Sequence, residues 1–208
     1  MLQVKKVAIN WLSGSWKTLL AVFFSYFYKN VFSNFDIKWK KITKLKYKED
    51  FDKIFENQNK KALIIDEWWN EFSSRNSMSE QNKMISEIDN TARKWNCDTY
   101  LIMQRFYSID INLRNNFNFL IEPQVYFDKL TKTNNIQFWV YEQKTIMDKY
   151  YFNLIDYREI INFPEKMKKI WLNYDTTQMP EKNFLKKEKP KKQKNIEENS
   201  EELNLEDF

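Results

Sequence analysis

Residues 10–18 read Asn-Trp-Leu-Ser-Gly-Ser-Trp-Lys-Thr, and this stretch decides how the rest of the chain is interpreted. It lies between one apolar run at residues 4–9 and another at residues 19–24, an order that predicts a strand, a tight loop and a helix. A loop in that setting with the pattern G-x-x-x-x-G-K-[ST] cradles phosphate groups. Lys17 and Thr18 occupy the last two positions of the pattern, whereas Trp11 and Trp16 stand where it has its two glycines.

The glycine content of the chain makes these two mismatches informative. The chain has one Gly and eight Trp, whereas average usage would give it about 15 Gly. We therefore hypothesise that several tryptophans stand for glycines, because UGA encodes glycine in some bacterial lineages and tryptophan in other translation tables. The alternative is a decayed or coincidental loop with two genuine tryptophans. The codons at positions 11 and 16 distinguish the two, since TGG at both would exclude recoding.

With glycine at both positions, the loop is predicted to bind ATP. Its backbone N–H groups would cradle the phosphates at the start of the helix, where an indole would fill the space. Lys17 is expected to bridge the β- and γ-phosphates and Thr18 to ligate Mg²⁺; the alternative for this pair is an ordinary helix start. The predicted nucleotide-binding residues are Trp11, Ser13, Gly14, Ser15, Trp16, Lys17 and Thr18.

Polar side chains follow two predicted strands further along the chain. Asp66 and Glu67 come after the apolar residues 62–65, where Asp66 would hold Mg²⁺ through water and Glu67 would orient or deprotonate the attacking water. Strands often end in acids, so this signal is weak alone and gains weight only from the upstream loop. Gln104 ends a strand predicted at residues 98–104 and could contact the γ-phosphate or water, unless it is an ordinary turn residue.

The order of predicted elements favours an α/β fold, a P-loop NTPase with a mostly parallel sheet covered by helices. Strands at residues 4–9, 31–39, 61–67, 98–104 and 118–122 alternate with helices at residues 18–29, 48–57, 78–94 and 109–115. After Pro123, the pattern predicts antiparallel strands at residues 124–130, 136–143 and 149–155. We expect one ATPase domain at residues 1–180, with its antiparallel extension from about residue 124, and a tail at residues 181–208.

The C-terminal tail is marked by blocks of like charge, and the composition of the chain excludes several kinds of site. Residues 186–194 contain six Lys and one Glu, and residues 197–207 contain six acids and no base, which is typical of solvated, disordered segments. The absence of His removes histidine ligands and bases, and a single Cys excludes an internal disulfide. No apolar run is long enough to cross a membrane, and no secretory signal is expected. A location in the reducing cytoplasm is predicted.

A longer set of residues resembles the zonular-occludens-toxin-like ATPases of viruses. These residues are the run Ala-Arg-Lys-Trp-Asn-Cys-Asp-Thr-Tyr-Leu-Ile-Met-Gln-Arg at 92–105, followed by Ile-Asp-Ile-Asn-Leu-Arg at 109–114. Trp95 stands where a glycine would be unremarkable, and Asp-Glu-Trp-Trp at 66–69 resembles the Asp-Glu-small-small start of a family loop. The family is similar to the FtsK/HerA-type DNA-translocating and virus-packaging ATPases, and the resemblance covers roughly residues 4–123.

The resemblance implies a homo-oligomeric ring in which an arginine of one subunit reaches the nucleotide of the next. Arg75, Arg93, Arg105 and Arg114 are the candidates, of which Arg114 is preferred over a surface salt bridge. The implied function is an ATP-driven motor that moves DNA, most simply a viral genome into a capsid through a portal component, in the host cytoplasm. The alternatives are a filamentous-phage-type virion assembly or export ATPase and, if Trp11 and Trp16 are genuine, a non-hydrolysing nucleotide-binding or scaffold protein.

Overall fold

The fold is an eight-stranded mixed sheet, seen here in a computed structural model. The sheet runs in the order β3-β2-β4-β5-β1-β6-β7-β8. The structure describes residues 4–10, 16–37, 42–46, 48–56, 59–66, 92, 94–108, 111–146 and 149–162. Its strands are β1 (Lys6–Asn10), β2 (Asn30–Ser33), β3 (Thr43–Lys44), β4 (Lys61–Ile65), β5 (Cys97–Met103), β6 (Phe119–Asp128), β7 (Thr133–Ile146) and β8 (Lys149–Ile160).

The first six strands in sheet order are parallel, which confirms the predicted α/β class. In the middle of the sheet, β1 pairs in parallel with β5 on one side and with β6 on the other. The strand that precedes the predicted phosphate loop is β1, and it therefore lies near the centre of the sheet. In parallel sheets, ligands bind beyond the carboxyl ends of the strands, and β1, β4 and β5 end together at that edge.

The prediction of separate strands on either side of Pro123 is wrong. Residues 119–128 form the single strand β6, in which Pro123 pairs with Phe138 of β7. On its other side, β6 pairs with β1 only as far as Ile121. A proline has no N–H for a ladder. It is accommodated here because β6 has left its parallel neighbour before residue 123.

Alternate residues of the strands fill two hydrophobic layers, one on each face of the sheet. Helix α1 (Lys17–Ser25) packs on one face, where it buries Leu20 and Ala21 completely. The opposite face packs against the 3₁₀ helix Lys48–Phe55 and against the segment that contains Phe106 and Phe117. The predicted helices at residues 48–57 and 109–115 therefore appear as this 3₁₀ helix and as the short helix α2 (Ile111–Arg114).

Helix α1 ends at Ser25, earlier than the predicted residue 29. The hydroxyl of Ser25 donates to the carbonyl of Val22, and the next three N–H groups donate to carbonyls only three residues back. This tighter pattern closes the last turn of the helix. The chain then enters β2 at Asn30, so the connection between α1 and β2 is short.

Several predicted features fall outside the described residues. These are the loop at residues 11–15, Glu67, Arg75, Arg93, most of the helix at residues 78–94 and the tail at 181–208. Within the described part of the chain, no helix has the length and apolarity needed to cross a membrane.

Candidate functional site

Trp16, the last residue before helix α1, adopts a conformation that favours glycine. Its backbone angles are φ 57° and ψ 29°, in the left-handed region. A residue with a Cβ pays about 1–2 kcal/mol to adopt that conformation, whereas glycine adopts it freely. The strained residue occupies the position of the second glycine in the phosphate-loop pattern. The backbone and the sequence pattern thus favour the same residue at position 16.

The other two tryptophans in the described part of the chain lie in conformations that suit a large aromatic residue. The ring of Trp95 is 5.6 Å from that of Phe55, and the positive φ in this turn belongs to Asn96 instead. Trp139 lies within β7, and its ring is 5.8 Å from that of Tyr157 on β8. Of the tryptophans that can be described, Trp16 alone occupies the left-handed region.

Thr18 and Asp66 meet at the carboxyl edge of the sheet. The hydroxyl Oγ1 of Thr18 donates to Oδ2 of Asp66 at 2.6 Å. Thr18 lies in the first turn of α1, and Asp66 is the residue directly after β4. Side chains along β4 alternate between the two faces of the sheet, and Asp66 follows Ala62 and Ile64, which face α1. A hydroxyl oxygen and a carboxylate oxygen, both of which can bind a metal ion, are therefore in contact at this edge.

Asn34 holds the main chain of Asp66 and was missed by the sequence analysis. Its Nδ2 donates to the Asp66 carbonyl at 3.0 Å, and its Oδ1 accepts from the Asp66 N–H at 2.9 Å. Asn34 follows β2 directly and is 1% exposed. The signal that could have identified it is the one used for Gln104, a polar residue where a parallel strand ends.

Lys17 is buried at the start of α1, beside the same carboxylate. Its side chain is among the buried charged groups of the described residues. Burial lowers the pKa of the Lys17 ammonium below its usual value, and the charge of Asp66 partly opposes this shift. A buried lysine is costly unless an anion approaches it. The carboxylate of Asp66 supplies a negative charge beside Lys17.

The end of β1 is held by polar contacts with its neighbours. Oδ1 of Asn10 accepts the N–H of Phe106 at 2.9 Å, which fixes the turn that follows β5. Gln104 lies in that turn and is half-buried. Continued alternation along β5 directs Gln104 to the face of Tyr100 and Ile102, which is the α1 face. Gln104 thus lies at the same edge of the sheet as Asp66.

Arg114 contacts an aromatic side chain outside this group of residues. Its guanidinium lies over the ring of Tyr107, 5.7 Å from the ring centre. Its Nε is buried without a hydrogen-bond partner among the described residues. None of the contacts recorded for Arg114 joins it to Lys17 or Asp66. Arg105, the other candidate that the structure describes, is exposed.

The residues at this edge fit a divalent cation and a phosphate. Mg²⁺ prefers oxygen ligands, and Thr18 and Asp66 supply a hydroxyl and a carboxylate that already contact each other. The first N–H groups of α1 have no partners within the helix, and Lys17 adds a positive charge beside them. The described residues thus bring a hydroxyl, a carboxylate and an ammonium group together near the end of a central parallel strand.

Comparisons with known proteins find likeness in structure alone, since no protein-family profile and no curated protein matches the chain. The N-terminal domain of zonular occludens toxin from Neisseria meningitidis aligns with a TM-score of 0.50 and 15% identity, over 83% of this chain and 100% of that domain. The genome packaging NTPase B204 from Sulfolobus turreted icosahedral virus 2, in complex with ATP-gammaS, aligns with a TM-score of 0.45 and 14% identity, over 74% of this chain and 98% of B204. The chain has a P-loop NTPase fold.

Proposed function

We propose that this chain binds ATP with Mg²⁺ and uses its hydrolysis to move DNA, as a viral genome-packaging motor in the host cytoplasm. The observation that carries the nucleotide site is the 2.6 Å hydrogen bond between Thr18 and Asp66, at the edge of the sheet where β1 ends. Lys17, Thr18 and the loop would hold the phosphates, and Asp66 would hold the metal with Thr18. Glu67 and Gln104 would act on the attacking water.

The proposed substrate, DNA, rests on the resemblance of residues 92–114 to the DNA-moving viral ATPases. The zonular-occludens-toxin domain supports the fold on which this resemblance depends. The formal net charge of +5 is compatible with a polyanionic partner. An oligomeric ring is compatible with the outer hairpin of β7 and β8. Large apolar side chains are exposed there, at Ile146 of β7 and, on the edge strand β8, at Tyr150, Tyr151, Leu154, Ile155 and Tyr157.

A non-hydrolysing scaffold is the second candidate function, and one contact favours it. The indole of Trp16 is partly buried and packs against the core layer beneath α1. If Trp16 is genuine, this packing would hold the loop closed against phosphate. The proposed motor therefore depends on glycine at positions 11 and 16.

Nucleotide binding tests the proposal first. The double variant Trp11→Gly/Trp16→Gly is expected to bind a fluorescent ATP analogue with Mg²⁺, whereas the chain with both tryptophans is not. The same double variant with Lys17→Ala is the matched control and should lose binding. Trp95→Gly, which adds a glycine far from the loop, should not gain binding. Equal affinity with tryptophan and with glycine would contradict the steric argument.

The DNA-moving role needs a separate measurement. ATP hydrolysis by the double variant should rise when duplex DNA is added, and the protein should displace a third strand from a triplex in an ATP-dependent manner. Hydrolysis without any effect of DNA would leave an NTPase but overturn the motor. Binding without hydrolysis would favour the scaffold. Co-purification with a portal or with membranes would separate packaging from filamentous-phage-type export.

A further inference from the structure

We infer that Asn34 is a positioning residue that sets the Mg²⁺ affinity of the site by holding the main chain of Asp66. The inference rests on the proposed function, because it concerns how the same site binds its metal. Asn34 does not reach the metal itself. It acts through Asp66, whose carboxylate is predicted above to hold Mg²⁺ through water, beside the hydroxyl of Thr18.

The contact is made at two points. The Asn34 amide donates to the Asp66 carbonyl at 3.0 Å and accepts from the Asp66 N–H at 2.9 Å. One side chain therefore satisfies both main-chain polar groups of Asp66. Asn34 is 1% exposed, so water has little access to replace these bonds. A buried main-chain group that loses its partner costs about 1–3 kcal/mol.

The position of Asn34 explains why a side chain is needed there. The parallel ladder between β2 and β4 ends with the pair Ser33 and Ile64. Asp66 lies beyond that ladder, where no β2 residue offers it main-chain bonds. Asn34 is the next residue after β2, and its amide presents one donor and one acceptor as a main chain would. The contact extends the sheet by one step at the point where the predicted metal ligand begins.

Asn34 is itself held in place by hydrogen bonds of the preceding residue, Ser33. The Ser33 carbonyl accepts the N–H of Leu45 at 2.8 Å, and the Ser33 hydroxyl accepts the N–H of Phe35 at 3.2 Å. Both bonds fix the backbone on either side of Asn34. The direction of the Asn34 amide is therefore set by the end of β2 and by its neighbour β3.

The consequence for the metal follows from the direction of the Asp66 side chain. With its main chain fixed at N–H and C=O, Asp66 points its carboxylate at the Thr18 hydroxyl, 2.6 Å away. If the main chain turned, the two oxygen ligands would separate and would have to be reordered by each metal ion. Partners that orient metal ligands change metal affinity by about 10- to 100-fold when they are mutated.

The test measures how Mg²⁺ strengthens the binding of a fluorescent ATP analogue to the Trp11→Gly/Trp16→Gly chain. Asn34→Ala is expected to weaken the apparent Mg²⁺ affinity by about 10- to 100-fold and to leave binding of the metal-free nucleotide unchanged. Asn34→Asp keeps the size of the side chain and its acceptor oxygen but cannot donate to the Asp66 carbonyl. It should therefore also weaken the apparent Mg²⁺ affinity. This second variant covers the case in which Asn34→Ala does not fold.

A matched control is available in Asn135, which is also 1% exposed. Its side chain accepts from Thr133 and from the N–H of Asn162 in the distal hairpin. Asn135→Ala should lower the free energy of unfolding without changing the Mg²⁺ dependence. A merely structural role for Asn34 would give the same result.

The outcomes separate the two claims. The parent protein here is the Trp11→Gly/Trp16→Gly chain. If it binds the ATP analogue with Mg²⁺, and Asn34→Ala and Asn34→Asp show the same Mg²⁺ dependence as the parent, the inference is overturned while the proposed function stands. If the parent binds no nucleotide with or without Mg²⁺, the proposed function fails and the inference with it. Equal weakening by Asn34→Ala and Asn135→Ala would also overturn the inference, since it would show a general loss of stability.

Discussion

The Thr18 hydroxyl donates to the Asp66 carboxylate although 48 residues separate them in the chain. Thr18 lies in the first turn of helix α1, and Asp66 directly follows β4. The sheet order places β5 between β4 and β1, so the contact spans an intervening strand. Thr18, the predicted metal ligand, is therefore in direct contact with the carboxylate predicted to hold the metal.

The backbone conformation at position 16 predicts that glycine there gives a more stable protein than alanine. Trp16→Gly and Trp16→Ala both remove the indole, so their difference isolates the left-handed conformation, φ 57°. The glycine variant should be more stable by about 1–2 kcal/mol, measured as free energy of unfolding in denaturant.

The matched control for position 16 is Trp95, which does not have a positive φ. Here Trp95→Ala should be as stable as Trp95→Gly or more stable, because glycine loses more conformational freedom on folding. If alanine were preferred to glycine at position 16 as well, the conformational argument for a glycine would be wrong.

The proposed general base predicts a separation of binding from hydrolysis. In the Trp11→Gly/Trp16→Gly chain, Glu67→Gln should keep ATP binding and lose hydrolysis by about 10²- to 10⁴-fold, because an amide cannot accept the proton of water. Lys17→Ala should weaken both. Steady-state hydrolysis and nucleotide titrations check this. Normal hydrolysis by Glu67→Gln would move the general base elsewhere.

If Arg114 acts on the nucleotide of a neighbouring subunit, two inactive variants should complement each other when they are mixed. Arg114→Ala and Lys17→Ala should each abolish hydrolysis, whereas a mixture of the two should recover part of it, because some interfaces then combine an intact Lys17 with an intact Arg114. Arg105→Ala, which changes an exposed arginine, is the control and should hydrolyse normally. A mixture as inactive as its components would exclude Arg114 as the residue supplied in trans.

The buried thiol of Cys97 predicts a loss of stability in base. Burial raises the pKa of Cys97 from 9.0 to about 12, and the charge of Asp98 adds to this while Lys61 opposes it. The folded state therefore keeps the proton that the unfolded state releases above about pH 9. The contribution to stability is complete below that pH and falls by about 1.4 kcal/mol per pH unit above it.

Cys97→Ala measures this contribution. The difference in free energy of unfolding between the parent and Cys97→Ala should shrink as the pH rises from about 9 to about 10, before the tyrosines titrate in the unfolded state. Tyr100, whose pKa burial raises to about 12, adds a further loss above that range in both proteins. A difference that stays constant with pH would show that Cys97 does not titrate differently in the two states.

The charged tail predicts a change in the salt dependence of DNA binding. Each lysine that neutralises a phosphate steepens that dependence, and residues 186–194 supply six. Deleting residues 196–208, which removes the whole acidic block, should strengthen DNA binding. Deleting residues 182–208 should lower the salt slope and leave basal hydrolysis intact. If the full chain and both deletion variants show one affinity and one salt slope, the basic run has no role in DNA binding.

The sequence by itself determined the class of fold and the positions of most elements. Apolar runs separated by polar turns identified β1, α1, β4 and β5, because burial between two layers requires such runs. It also identified position 16 as a mismatch, since the phosphate-loop pattern is local. The strand break at Pro123 was predicted wrongly, because whether a proline interrupts a strand depends on which neighbour needs its N–H.

Only the tertiary structure decided which polar residues meet. The sequence marked Thr18 and Asp66 separately, but their contact depends on the order of strands in the sheet. Asn34 lay inside the strand predicted at residues 31–39, and its role emerges because β2 lies beside β4 and the ladder between them ends at Ile64, two residues before Asp66. Such contacts join residues far apart in the chain, and their geometry is fixed by packing between elements. Local propensity cannot encode it.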